Sequence, residues 1–169
     1  QRLGISVPAL AFEPGRVIAG PAGITLYSVG TIKEVRITDQ GAAATRKYVS
    51  VDGGMSDNVR PALYEAEYSA NLASRSSDAE AVLSRVVGKH CESGDIVVRH
   101  SMLPADVAVN DLLAVPATGA YCFSLSSNYN YLPRPAVIAV KAGVVKVLIR
   151  AETERDLLNR DAGFEPGEA

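Results

Sequence analysis

The sequence predicts a mainly β chain: a sandwich or barrel-like domain entered through one buried strand and followed by a short helix. Three observations carry that prediction. Short apolar and β-branched runs recur along the chain, separated by Gly, Pro, Asn or Asp, as in packed sheets. The first run, Ile5–Phe12, is almost wholly apolar, which suits a parallel strand buried on both faces, although a short helix fits the same run. A helix start signal stands near the end, at Thr153. With 169 residues, 47% apolar and 21% charged, the chain has length for one domain and its core.

The elements follow in order. A parallel strand at Ile5–Phe12 requires neighbours on both sides, and the upstream sequence that would supply them is missing. The chain is therefore expected to begin inside a larger α/β body, and its opening, Gln1-Arg2-Leu3-Gly4, has no Met and no secretory pattern. Gly20-Pro21-Ala22-Gly23 punctuates the chain before a β-rich stretch, Ile24–Ile37. Thr45–Val51 alternates and ends at Asp52-Gly53-Gly54. Further strands are expected at Val82–Val87, Ile96–Arg99, Leu112–Val115, Pro135–Val140 and Val144–Ile149, most of them antiparallel. Ala142-Gly143 suits the hairpin turn between the last two. Thr153–Asn159 reads as a helix with Thr153 as N-cap and Glu154 and Asp156 in the first turn. The tail Gly163–Gly167 is expected to fray.

Charge excludes some partners. Lys and Arg number 17 against 19 Asp and Glu, a net charge of −2, so no basic field invites nucleic acid or an anionic membrane. No apolar run approaches the roughly 20 residues of a membrane span. Two cysteines make no disulfide framework, which points to a reducing, cytoplasmic setting. His90, His100, Cys91 and Cys122 lack paired ligand spacing, so no metal site is expected.

Four polar clusters are candidates for chemistry. Glu13-Pro14-Gly15-Arg16 follows the first run, where ligands collect at the carboxyl ends of α/β strands. Gly15 allows close backbone approach, Arg16 offers a fork for phosphate or carboxylate, and Glu13 could accept from a protonated ring nitrogen. Cys91-Glu92-Ser93-Gly94-Asp95 joins a thiol to a carboxylate in a turn, as a proton donor beside an ammonium-binding group would be. Gly119-Ala120-Tyr121-Cys122 leads into Phe123–Asn130 and could aim the Tyr121 hydroxyl at phosphate. Ser56–Tyr64 reads as a turn that carries one Arg and one Tyr four apart, Arg60 and Tyr64. Each has a plain structural alternative: a surface ion pair, a buried Cys in an ordinary turn, a half-buried core Tyr, a solvated Arg. Cys122 reads as a packed small hydrophobe.

Taken in order, Glu13–Arg16, Val51–Asn58, Arg60–Tyr64, Cys91–Asp95 and Gly119–Tyr121 resemble the diaminopimelate decarboxylases, most of all the actinobacterial ones. These are the lysine-pathway members of the pyridoxal-phosphate decarboxylases with the alanine racemase-like fold. The resemblance runs from the first strand to about Arg150. It implies a (β/α)₈ barrel followed by a β-sandwich domain, with residues 1–28 ending the barrel and 29–169 forming the second domain. It also implies that Glu13 faces the pyridine nitrogen and that Pro14, Gly15, Arg16 and Tyr121 belong to the cofactor site. Cys91 would return a proton after carbon dioxide is lost. Arg16, Arg60, Tyr64, Glu92 and Tyr121 would bind substrate, in a homodimer whose Cys91–Glu92 segment enters the neighbouring subunit's site.

The substrate then has its own logic. Meso-2,6-diaminopimelate carries an amino-acid group at each end, and decarboxylation of the D end yields L-lysine. The far carboxylate needs a cation, which Arg60 with Arg16 and Tyr64 could supply, and the far ammonium an anion, Glu92. A site built on that pairing rejects substrates lacking either group. Two other readings remain: a catalytically dead module for assembly or regulation, and a decarboxylase of a related basic amino acid or carboxylated polyamine.

One departure bears on activity. The family's cofactor lysine stands on an early barrel strand in a Tyr-Ala-x-Lys-Ala-like context, and the five lysines here are Lys33, Lys47, Lys89, Lys141 and Lys146. Ala139–Gly143 mimics that context but falls at the late hairpin, so Lys141 reads as a solvated turn residue. The barrel's glycine-rich phosphate loop is absent too. This polypeptide alone is therefore expected to be inactive, as one part of an enzyme whose barrel takes roughly 250 residues.

Overall fold

In the computed structural model, residue 4 and residues 9–39 and 41–163 are described. A one-turn helix α1 (Gly15–Ala19) and a 3-10 turn (Gly20–Ala22) lead into strand β1 (Ile24–Asp39). Then come β2 (Ala42–Val51), helix α2 (Arg60–Tyr64), β3 (Asn71–Leu72), β4 (Ala81–Val87), β5 (Ile96–Pro104) and β6 (Leu112–Pro116). Two 3-10 turns precede the hairpin β7 (Val137–Lys141) and β8 (Val144–Ile149), and helix α3 (Glu154–Leu158) follows.

Six strands form one sheet in the order β3-β6-β1-β2-β4-β5. Strand β1 changes partner along its length. Ile24–Ser28 pair with β6, whereas Ile32–Asp39 pair with β2, with a register shift between Val29 and Ile32. Such an irregularity bends a strand and increases its twist, so one long strand serves two walls. The β2–β4 pair is parallel; every other pair is antiparallel. The two sheet edges approach each other, and Ser101 of β5 donates its hydroxyl to the Ala70 carbonyl just before β3 at 3.3 Å. The sheet is therefore a nearly closed barrel, and edge closure leaves few unpaired groups. Alternation along the strands turns Tyr27, Val29, Val49, Val51, Val86 and Leu113 inward.

The β7–β8 hairpin forms a separate two-stranded sheet. Ala142 and Gly143 at its turn have φ of 50° and 78°, the left-handed pair that matches strand twist. Lys141 ends β7 and is exposed. Helix α3 starts with a capping box, in which Thr153 accepts from the Asp156 N–H while Asp156 accepts from the Thr153 N–H.

One expected element needs correction. The sequence predicts a strand at Ile5–Phe12; residues 5–8 lie outside those described, and Ala9–Phe12 have no regular structure. Leu10 and Phe12 are 70% and 79% exposed, because no strand among the described residues lies alongside to bury them. Arg16 consequently sits in α1, and Arg60 opens a helix where a turn was expected. The expected domain boundary at residue 28 falls within β1. Of the tail, only Gly163 is described. Among the described residues no helix is long and apolar enough to cross a membrane.

Candidate active site

The polar clusters resolve into two groups. The first is built by the loop between β2 and α2. Asp52 accepts the Ser28 N–H at 2.8 Å, and Asp57 accepts the Tyr27 hydroxyl at 2.5 Å and the Gly54 N–H at 2.8 Å. Burial pushes the Asp57 carboxyl above the ordinary carboxylate range, while the hydrogen bond from Tyr27 pulls it back. Gly53 is required here, since a Cβ would lie 2.3 Å from both Asp57 and the Tyr27 ring. Asn58, almost fully buried, accepts the Arg60 N–H at 3.3 Å and so aligns the start of α2.

One helical turn separates Arg60 from Tyr64, and the Arg60 guanidinium lies 5.6 Å from that ring's centre. It also lies 5.2 Å from the centre of the Tyr121 ring. Both distances are within cation–π range. Tyr121 reaches this place through a backbone contact. A Cβ on Gly119 would stand 2.1 Å from the Ala19 carbonyl, and Gly119 donates to the Gly20 carbonyl at 3.1 Å. This close approach brings the end of α1 against the segment carrying Tyr121. Arg16 and Arg60 thereby line one open cavity of about 650 Å³, with Tyr68, Glu67 and Ala120. Neither Arg16 nor Arg60 makes an ion pair among the described residues.

The second group stands on the turn between β4 and β5. Asp95, buried, accepts N–H groups from His90 at 2.8 Å and Met55 at 2.7 Å, and its Oδ2 lies 2.7 Å from His90 Nδ1. It occupies space left by Gly54 and Gly88, where Cβ atoms would fall 2.5 and 2.1 Å from its oxygens. Cys91 and Glu92, next in the turn, are exposed. Tyr129 donates its hydroxyl to Glu92 Oε2 at 3.3 Å and stacks on the His90 ring at 5.7 Å.

The structure thus brings Arg16 and Arg60 to one cavity and sets Tyr64 and Tyr121 against Arg60, whereas Cys91 and Glu92 do not line that cavity. Glu13, Pro14 and Gly15 are exposed at the start of α1. Among the described residues no cluster fit to hold a metal ion occurs. Sequence reasoning missed Asn58, Tyr68, His90 and Tyr129 as site-building residues. The stretch Asn128-Tyr129-Asn130, polar and aromatic beside Tyr121, was the available signal.

Residues 17–119 match the family described as pyridoxal-dependent decarboxylase, C-terminal sheet domain. The chain belongs to this family. Among curated relatives of this decarboxylase family, diaminopimelate decarboxylase of Mycobacterium leprae is 60% identical over 157 residues, covering 93% of this chain and 33% of that protein. The Bacillus subtilis enzyme of the same name is 45% identical, over 99% of this chain and 36% of that one. The crystal structure of diaminopimelate decarboxylase from M. jannaschii in complex with L-lysine superposes with a TM-score of 0.76 at 34% identity, covering 86% of this chain and 31% of that one. The chain spans about a third of the length of these decarboxylases. The sheet domain accounts for the barrel-like architecture expected from the strand pattern.

Proposed function

We propose that the chain is the C-terminal part of a pyridoxal-phosphate-dependent decarboxylase that converts meso-2,6-diaminopimelate to L-lysine and carbon dioxide. The observation that carries this reading is Arg60, half-buried, within cation–π reach of Tyr64 and Tyr121 and at the wall of the cavity it shares with Arg16. Two guanidiniums without acidic partners among the described residues fit anionic groups, here the cofactor phosphate and a substrate carboxylate. Pyridoxal phosphate, when bound, supplies the electron sink for loss of the carboxylate.

The chain's own residues divide the remaining work. Gly15, Arg16 and the Tyr121 hydroxyl would hold the phosphate, with Pro14 shaping the approach, and Glu13 would keep the ring nitrogen protonated. Arg60, aided by Arg16, Tyr64 and Tyr121, binds the far carboxylate as a planar fork held by aromatic faces. Glu92 binds the far ammonium. The Cys91 thiol gives a proton to the carbon that has lost carbon dioxide. The separation of Cys91 and Glu92 from the arginine cavity supports a homodimer in which that turn completes the neighbouring subunit's site. Residues before β1 then form the seam with the barrel, and the chain from β1 onward the second domain.

The test is carbon dioxide release by the complete protein containing this chain, loaded with pyridoxal phosphate. Meso-diaminopimelate should be turned over in preference to lysine, ornithine and arginine, and Arg60→Ala should remove most of that preference. A complete, dimeric protein that turns over none of them would make the chain an assembly module instead.

A further inference from the structure

We propose that Tyr129 is a positioning residue: it orients the Glu92 carboxylate and so sets selectivity for a substrate bearing a far ammonium group. The inference rests on the role given to Glu92 above. It begins from a polar pair that the chemistry does not otherwise use. The side chains of His90 and Asp95 are 0% and 2% exposed and meet at 2.7 Å. Asp95 is satisfied on both oxygens, by the His90 ring and by the N–H groups of His90 and Met55. His90 Nε2 has no hydrogen-bond partner and is buried. The imidazole therefore acts as a fixed flat wall.

Tyr129 lies against that wall, its ring 5.7 Å from the imidazole and inclined by 17°. The backbone around it is held on both sides. The Ser127 N–H donates to the Ser56 carbonyl at 2.8 Å. The Asn128 amide donates to Glu152 at 2.6 Å and to the Leu132 carbonyl at 3.1 Å, and accepts from Arg134 at 2.8 Å. With ring plane and backbone set, the hydroxyl has one place to point, Glu92 Oε2 at 3.3 Å. The adjacent Glu92 charge pushes the Tyr129 phenol above its ordinary range.

Glu92 is held in turn by its main chain, donating to the His90 carbonyl at 2.8 Å and accepting from the Asp95 N–H at 3.1 Å. Its carboxylate makes no ion pair among the described residues. One oxygen is taken by Tyr129, which leaves Oε1 to meet an ammonium. Without the hydroxyl the side chain would have to be ordered by the substrate itself, at the expense of binding.

The test compares Tyr129→Phe and Glu92→Gln in the complete decarboxylase. Two substrates are used: meso-diaminopimelate and 2-aminopimelate, which keeps the far carboxylate but lacks the far ammonium. Tyr129→Phe retains the stack and should raise KM for diaminopimelate roughly fivefold, the scale of one ordinary hydrogen bond at a solvent-exposed site, with a much smaller change in kcat. The preference over 2-aminopimelate should narrow by a similar factor. Equal losses on both substrates, or an unchanged preference, would overturn the proposal. Glu92→Gln separates the two levels. If it abolishes the preference while Tyr129→Phe leaves it unchanged, positioning by Tyr129 fails alone; if it leaves the preference intact, the role of Glu92 fails and this inference with it.

Discussion

The guanidinium of Arg60 lies 5.2 Å from the centre of the Tyr121 ring, tying the helix after β2 to the segment that follows β6. The arrangement holds a cation in place without neutralising it, because an aromatic face attracts charge yet leaves the N–H donors available. Arg60→Lys keeps the charge but loses the planar fork. In the complete enzyme it is expected to lower kcat/KM for diaminopimelate by roughly tenfold, and Arg60→Ala by more, consistent with about 1.5–3 kcal/mol for a hydrogen bond to a charged group. Steady-state kinetics decide it: equal activity of Arg60→Lys and the parent would remove the bidentate role.

Asp95 anchors the Cys91–Glu92 turn, so its loss should be felt first as instability. Asp95→Asn places an amide NH₂ among groups that already donate, and is expected to cost about 2–3 kcal/mol. Gly88→Ala should be at least as damaging, since its Cβ would fall 2.1 Å from an Asp95 oxygen in a buried setting. Urea unfolding of the complete protein measures both. A Gly88→Ala midpoint equal to the parent's would mean that the turn relaxes freely and that Asp95 is no fixed point.

The same residues explain what could be read in advance. Runs such as Val82–Val87 and Val144–Ile149 announce strands because β-branched side chains repeat between turn residues. Strand β5 was expected to stop at Arg99 and continues to Pro104, because Ser101 is polar yet buried, its hydroxyl satisfied by Ala70 across the closing edge. That partner lies far away in sequence, so no local pattern reports it. Strand β3 has two residues, too few for any period. At the site, the order of the motifs brought Arg16, Arg60, Tyr64 and Tyr121 into view. Their supports were less legible: Asn58 holds the start of α2, and His90 with Asp95 fixes the Cys91–Glu92 turn, through contacts made only in the folded chain.

Acid should weaken the fold through Asp111. Its carboxylate accepts from Arg75 at 3.0 and 2.9 Å, from Ser74 at 2.9 Å and from the Ala108 N–H at 2.9 Å. Arg75 foremost holds it down to about 2. The folded value lies below the unfolded value of about 4, so the stabilisation is present above pH 4 and is lost as pH falls from there towards 2. Unfolding free energy measured from pH 6 to 2 should fall over that window, and Asp111→Asn should lower the plateau and flatten the descent. An identical pH slope in the variant would exclude this carboxylate as a source of acid sensitivity.

The two cysteines should separate cleanly by reactivity. Cys91 is exposed, whereas Cys122 is 5% exposed, between the Tyr68 hydroxyl at 3.6 Å and Asn58 Oδ1 at 3.5 Å. Burial also pushes the Cys122 thiol up, which disfavours the thiolate that alkylation requires. Iodoacetamide at mildly alkaline pH is therefore expected to modify Cys91 in the native protein and Cys122 only after unfolding, as peptide mass mapping would read. If Cys91 is the proton donor, its modification should abolish decarboxylation, and saturating L-lysine should slow the labelling by occupying the same site. Cys122→Ala should lower stability by about 1 kcal/mol and leave the pH profile of turnover unchanged. Full activity in a protein labelled stoichiometrically at Cys91 would transfer the proton-donor role to another group.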